Sequence, residues 1–290
     1  MEFPAKPWPV GAAEMPEPLV RRVLAPNPSA FTFTGTQSYV IGAGEDVAVI
    51  DPGPNEPEHI AALRATIGKA RVGAILCTHT HRDHSPAAAP LAALTGAPIV
   101  GCAPLSLNDD GPRSDASFDS AYSPDRVLAD GETVSGDGWT LTALATPGHT
   151  SNHLCFALEE SGALFTGDHV MGWSTSVVSP PDGDMTAYMA SLQKLHDRED
   201  RVYYPAHGPE VSKTRQFVRG MIGHRRQREN QIVKLLEEAP QAIAALVPRM
   251  YKSVDPALWP AAGRSVLAHL IDLERRGRVT RRDDVWTIAA

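Results

Sequence analysis

Apolar residues in this chain come in short runs broken by glycine, proline and acidic turns, and two periods alternate along it. "SYVIG" and "VAVIDPGP" read as paired strands, with turns at Gly42 to Glu45 and Pro52 to Gly53. "PEHIAALRATIG" predicts a helix with Pro57 near its start and Gly68 near its end. "VGAILCTH" reads as a strand. "SPAAAPLAALTG" predicts a helix that Ser85 caps, with Pro86 in its first turn and Gly96 as its stop. "PIVGC" is a further strand, and residues 104–123 form a Ser/Asp/Pro-rich loop of the kind that covers a site. "RVLADGETV", "WTLTALATPG", "HLCFALE" and "GALFTGD" predict successive strands, with a hairpin turn at Glu160 to Gly162. Met185, Met189, Leu192 and Leu195 mark the inner face of a helix over 184–197, and "RVYYPAHG" is a strand and loop. The proline-rich residues 1–30 are expected to wrap over the surface.

Beyond residue 212 the pattern changes. Residues 212–238 predict one long basic helix, followed by helices around Ala242 to Met250 and Gly263 to Arg276. "GRVTRRDDVWTIA" then reads as a hairpin turning at Asp283 and Asp284. The chain is thus expected to divide into a unit over 1–212, a connecting helix over 213–238 and a small winged-helix-like unit over 239–290. The fold class is α/β, or α+β. Charge follows the same division. Residues 1–212 hold 12 Lys+Arg against 26 Asp+Glu, whereas residues 213–290 hold 15 against 8. Such asymmetry predicts either two units with different partners or two units that attract each other.

No stretch approaches the roughly 18 to 20 continuous apolar residues of a membrane span. Prolines also occupy the N-terminal positions where a secretory signal needs an apolar core. A cytoplasmic protein without membrane contact is expected. Cys77, Cys102 and Cys155 lie far apart in apolar surroundings, which predicts buried free thiols.

The candidate chemistry is concentrated in "THTHRDHS". His79 and His81 are two apart, so at a strand end both imidazoles point to one side. Asp83 and His84 follow one turn later and can reach a second ion nearby. Neutral imidazole and carboxylate are the usual ligands of Zn²⁺ and related divalent metals. Three later loops, each after an apolar strand, end in a ligand-type residue: His149 in "ATPGHTSNH", Asp168 in "LFTGDH" and His207 in "YYPAHGP". A lone histidine at a strand end is usually a packing residue, but seven ligand-type residues in register reverse that reading. His153 is expected behind the ligands, orienting one of them, and His169 is expected to point away. Asp51 is expected to fix a turn beside the cluster, with support of a ligand as its sharper role. His59, His196, His224 and His269 fall on predicted helices as surface or packing residues.

T-H-x-H-x-D-H followed by G-H, G-D and H-G resembles the metallo-β-lactamase fold superfamily, over about residues 20–212. The resemblance implies an αββα sandwich with a dinuclear site at one edge of its two sheets. It implies that His79, His81 and His149 hold metal 1, that Asp83, His84 and His207 hold metal 2, and that Asp168 bridges them. The cofactor it implies is two divalent ions, Zn²⁺ first, with Mn²⁺ or Fe²⁺ as alternatives. A bridging hydroxide would be the nucleophile, with Asp83 orienting it. "FTFTGTQSYVIG", "IDPGP", "TPGHT", "TGDHVMGW" and the tail from "HRRQREN" to "DDVWTI" resemble the lactamase-like protein 2 group, whose animal members cleave single-stranded RNA. Ala206 departs from the glycine usual in that group.

The substrate reading stays between a phosphodiester in single-stranded RNA and a small-molecule ester or thioester. Alternatives are a glyoxalase II-like hydroxyacyl-thioester hydrolase and a weak β-lactamase, although the carboxylate in "TGD" and the missing export signal argue against a true lactamase. A non-enzyme alternative is a winged-helix nucleic-acid-binding regulator with a metal-sensing domain. Arg219, Arg225, Arg226, Arg228, Arg275, Arg276, Arg278, Arg281 and Arg282 could contact phosphates, or could pair with the acidic unit instead. The tail lacks an aromatic stacking stripe, which weakens the single-strand case.

Overall fold

The computed structural model describes residues 8–105 and 118–289. The first sheet has seven strands in chain order: β1 (Ala13–Glu17), β2 (Val20–Leu24), β3 (Gln37–Ile41), β4 (Asp46–Ile50), β5 (Arg71–Cys77), β6 (Ile99–Gly101) and β7 (Arg126–Val127). The pairings from β1 to β4 are antiparallel, and those from β4 to β7 are parallel. Helices α1 (Pro57–Ile67) and α2 (Ala88–Thr95) make the first two of the three parallel crossovers. The second sheet has five strands: β8 (Thr133–Gly136), β9 (Trp139–Ala145), β10 (Leu154–Leu158), β11 (Ala163–Gly167) and β12 (Val202–Pro205). Only β11 and β12 run parallel there, joined through α3 (Met185–His196).

Strand alternation builds two layers of core from the second sheet. Leu154, Phe156 and Leu158 of β10 face the first sheet with Leu141, Ala143, Phe165 and Tyr204. Cys155, Ala157, Leu164 and Tyr203 face the other way, against Tyr188, Leu192 and Leu195 of α3 and Val218, Met221 and Ile222 of α4 (Thr214–Glu238). The result is the αββα sandwich. The second half of α4 enters a third core through Ile232 and Leu236. That core joins it to α5 (Ile243–Met250), α6 (Trp259–Arg275) and the sheet β13 (Gln241–Ala242), β15 (Val285–Ile288), β14 (Val279–Arg282).

Three expectations are corrected. The segment over residues 1–30 is not merely a surface wrap, because its described part contributes β1 and β2, and Val20, Val23 and Leu24 are core. Flanking prolines masked a strand whose buried polar member, Arg22, pairs with Glu14 and Glu210. "RVLADGETV" is two strands rather than one: β7 closes the first sheet and β8 opens the second. Ser85 does not cap α2, whose N-cap is Ala87 without a side-chain bond; Ser85 Oγ donates instead to Asp119 Oδ2 at 2.9 Å. Most of the expected loop over 104–123 lies outside the described residues, although Phe118 bridges to His81. All three cysteines are free and buried, and no helix among the described residues is long and apolar enough to cross a membrane.

Candidate metal centre

The seven ligand-type residues leave four strand ends and meet at one edge of the sandwich. His79 to His84 follow β5, His149 follows β9, Asp168 follows β11 and His207 follows β12. His79 Nε2 lies 2.9 Å and His149 Nε2 3.1 Å from His81 Nδ1, so three ring nitrogens converge. On the other side, Asp83 Oδ2 lies 3.1 Å from His207 Nε2 and 3.3 Å from His84 Nε2. Asp168 stands between the groups. Its Oδ2 is 3.5 Å from His149 Nε2, while its Oδ1 is 3.2 Å from His207 Nε2 and 3.6 Å from His84 Nε2. His79, His81, His149 and Asp168 form one set able to hold a metal ion, and Asp83, His84 and His207 form another.

The outer nitrogen of four of the five rings is engaged, which leaves the inner one free to ligate. His149 Nδ1 donates to Val177 O at 2.6 Å, and His207 Nδ1 to Gly35 O at 3.2 Å. His84 Nδ1 donates to Asp51 Oδ2 at 2.9 Å, and His79 Nδ1 meets Thr78 Oγ1 at 3.0 Å. Asp51 carries more than a turn. With φ at 46° it also accepts the Thr78 amide at 2.7 Å and the Thr78 hydroxyl at 2.8 Å. Buried His153 receives the Asp168 amide on Nε2 at 3.2 Å, and its Nδ1 meets Thr146 Oγ1 at 2.9 Å. His169 turns away and packs on the Tyr188 ring. Ala206 is tied at both ends, to Gly167 O at 3.1 Å and from Gln37 N at 2.8 Å. Sequence reading missed Thr78, the Gly35 and Val177 carbonyls, and Gln37. Backbone acceptors have no residue signature.

The donor set fits cations. His84 Nε2 and Asp168 Oδ1 are buried without a hydrogen-bond partner among the described residues, and both point into the cluster. Burial, and then the neighbouring imidazoles, push His79 far below its ordinary value and His81 to about 3, so both rings are neutral donors. Burial alone would raise Asp83 and Asp168, but the facing imidazoles hold both well below the carboxylate range. The same carboxylates, with Asp51, outweigh burial at His84 and draw it well above its ordinary value. That surplus of negative charge is what a pair of divalent ions neutralises.

A cleft of about 460 Å³ opens over the cluster. Phe31, Pro54, Leu105, Phe118, Met171 and Val177 make its walls largely apolar. Arg82, for which the sequence suggested no role, lies exposed at this cleft without an ion-pair partner among the described residues. Arg264 reaches it from α6.

Known proteins agree with this architecture. Residues 31–207 match the model for the metallo-beta-lactamase superfamily, and residues 242–286 match that for a beta-lactamase associated winged helix domain. A beta-lactamase-like protein 2 homolog from Drosophila melanogaster is 32% identical over 272 residues, covering 90% of this chain and 89% of that one. An atrochrysone carboxyl ACP thioesterase from Cryptosporiopsis sp. (strain 8999) is 32% identical over 235 residues, covering 79% of this chain and 66% of that protein. A beta-lactamase domain protein from Burkholderia ambifaria shares the fold at 20% identity, with a TM-score of 0.77 over 99% of this chain and 97% of that one. Family match, fold and a His/Asp cluster suited to two metal ions coincide, and the chain belongs to the metallo-β-lactamase superfamily, as a hydrolase with a C-terminal winged-helix domain.

Proposed function

We propose that this chain is a dinuclear-metal hydrolase of acyl thioesters, with His79, His81 and His149 holding one ion, Asp83, His84 and His207 the other, and Asp168 bridging. The observation that carries the substrate class is the cleft, whose apolar walls suit an acyl chain and whose cationic lining among the described residues is Arg82 and Arg264. A polyphosphate track would need a line of cations. Similarity to a protein named as a thioesterase supports the same reading. When bound, two divalent ions lower the pKa of a shared water and polarise the attacked oxygen. Zinc suits the imidazole-rich donors best. Asp83 faces the cluster, with Thr36 Oγ1 donating to its Oδ2 at 3.3 Å, and is placed to orient the attacking water. Asp51 and the Val177 carbonyl hold the His84 and His149 rings in direction. Phe31 and Phe118 line the cleft over the cluster.

Single-stranded RNA is the second reading, favoured by Arg219, Arg226, Arg278 and Arg282, for which no ion pair exists among the described residues. The deciding experiment assays one zinc-loaded preparation on an acyl thioester, single-stranded RNA, a small phosphodiester and a β-lactam, beside Asp168→Ala. Thioester turnover that dominates and vanishes in the variant is expected. Cleavage confined to RNA, again lost in the variant, would overturn the thioester reading. Salt-dependent duplex binding with no turnover of any substrate would favour a regulator instead.

A further inference from the structure

The segment between β11 and α3 ties two parts of the centre together. It departs at Asp168 and, nine residues later, offers the Val177 carbonyl to His149 Nδ1 at 2.6 Å. That contact sets both the tautomer and the direction of the ring. Residues 168–184 contain no helix or strand. Buried Val178 and the Ser176 hydroxyl, which donates to His169 O at 2.8 Å, hold the segment from the sandwich side, and contacts from the C-terminal helices hold it from the other.

Arg225, midway along α4, donates one terminal nitrogen to Ser176 O and the other to Ser265 Oγ at 3.3 Å. Arg264, on α6, donates Nε to Ser179 Oγ at 3.1 Å and a terminal nitrogen to Pro180 O. The two guanidinium groups therefore grip the chain on either side of Val177. Arg225 is 3% exposed, and no carboxylate pairs with it among the described residues. The Tyr188 ring lies 5.1 Å from its guanidinium carbon. Burying a cation without a counter-charge is costly, and an apolar side chain of similar length would pack α4 on α3 without that penalty. What an apolar side chain lacks is the directed donor to the Ser176 carbonyl.

We propose that Arg225 and Arg264 are positioning residues for the metal centre: they fix residues 176–180 so that the Val177 carbonyl aims His149 at its ion, which makes the C-terminal domain part of the active-site framework. The inference rests on His149 being a metal ligand, and the test separates the two ideas. Full-length Arg264→Ala, Arg225→Met, Arg225→Lys and His149→Ala proteins are compared with the parent. The readouts are metal retention against a graded chelator, the absorption spectrum of the cobalt(II)-substituted protein, thermal unfolding, and kcat and KM on whichever substrate is turned over.

Arg264→Ala and Arg225→Met are expected to unfold cooperatively, to hold one of the two ions about ten-fold or more weakly, and to shift the cobalt bands. In Arg225→Met, whose side chain does not line the cleft, a fall in kcat with KM little changed is expected beside that, with partial recovery in Arg225→Lys, which keeps a donor for Ser176 O. Parental chelator resistance and cobalt bands in both folded variants would overturn the proposal. So would loss of both ions in step with a lowered Tm, the mark of a plain domain interface. Should the arginine variants not fold, Ser179→Ala removes one acceptor of the grip and must still weaken one ion. Full retention of both ions by His149→Ala overturns the ligand assignment, and the proposal with it.

Discussion

Asp51 holds two neighbours at once, the Thr78 amide and hydroxyl and the His84 ring, at 2.7 to 2.9 Å. Supports of this kind typically contribute about 10- to 100-fold in metal affinity or activity. Asp51→Ala is therefore expected to lower metal retention within that range, measured by chelator competition, while Asp168→Ala, which removes the carboxylate between the two sets, costs more and abolishes turnover. An Asp51→Ala protein with parental metal affinity would show that the contact is only structural. His59 poses a different test. It is 1% exposed, its Nε2 meets Ser38 Oγ at 2.8 Å, and burial lowers its pKa to about 4, against a Pro52 carbonyl that acts the other way. The unfolded chain binds the proton near pH 6.5, the folded chain near 4, so the unfolded state holds more protons in between. Stability from this group is thus complete above about pH 6.5 and is lost as pH falls towards 4, up to about 3 kcal/mol. His59→Gln is expected to flatten the fall of Tm across that window, and an unchanged slope would dismiss the assignment.

At the scale of elements, turns matter as much as strands. Gly148 precedes His149 with φ at 136°, and a Cβ there would lie 2.3 Å from the Tyr188 Cα of α3. The loop that presents His149 is therefore pressed directly onto a helix backbone, as the Asp184 amide bonding to Gly148 O at 3.0 Å also shows. Gly148→Ala is expected to cost about 2 to 4 kcal/mol, read as a lowered denaturation midpoint, together with weakened retention of one ion. Most helices and strands were legible because their periods are strong: α1, α3, β5 and β10 fall where the pattern places them. Ser85 was misread because a cap signal is local, whereas the choice between an amide and the Asp119 carboxylate depends on a partner 34 residues away. The β7 and β8 division was unreadable for a similar reason. Nothing in "RVLADGETV" states that its two ends pair with different sheets.

Across the whole molecule, the basic tail is largely spoken for. Arg275 pairs with Asp184, Arg276 with Glu229 and Asp272, and Arg281 with Asp284, while Arg228 donates to Met250 O. The charge asymmetry of the sequence thus serves internal contacts at many positions, including some between the C-terminal helices and the sandwich. The arginines left outside such pairs give a clean test of the RNA reading. Replacing Arg219, Arg226, Arg278 and Arg282 together by Gln is expected to leave thioester turnover within about two-fold, since surface changes away from a site perturb little. A large loss of cleavage on RNA, with the salt dependence of binding reduced, would instead give those residues to a nucleic-acid face.

The sequence by itself determined the candidate ligand types and the order of strands and helices, while the layered sandwich entered through the family resemblance. Imidazole and carboxylate side chains at the ends of apolar strands carry their identity in their residue type, and strand and helix periods are local properties of the chain. Only the tertiary structure decided how those ligands are aimed. The Gly35 and Val177 carbonyls, the Asp51 carboxylate that reaches His84 across 33 residues, and the Arg225 and Arg264 grip on residues 176–180 join segments far apart in the chain. A carbonyl oxygen is present at every residue. Which one lies 2.6 Å from a histidine is set by packing alone.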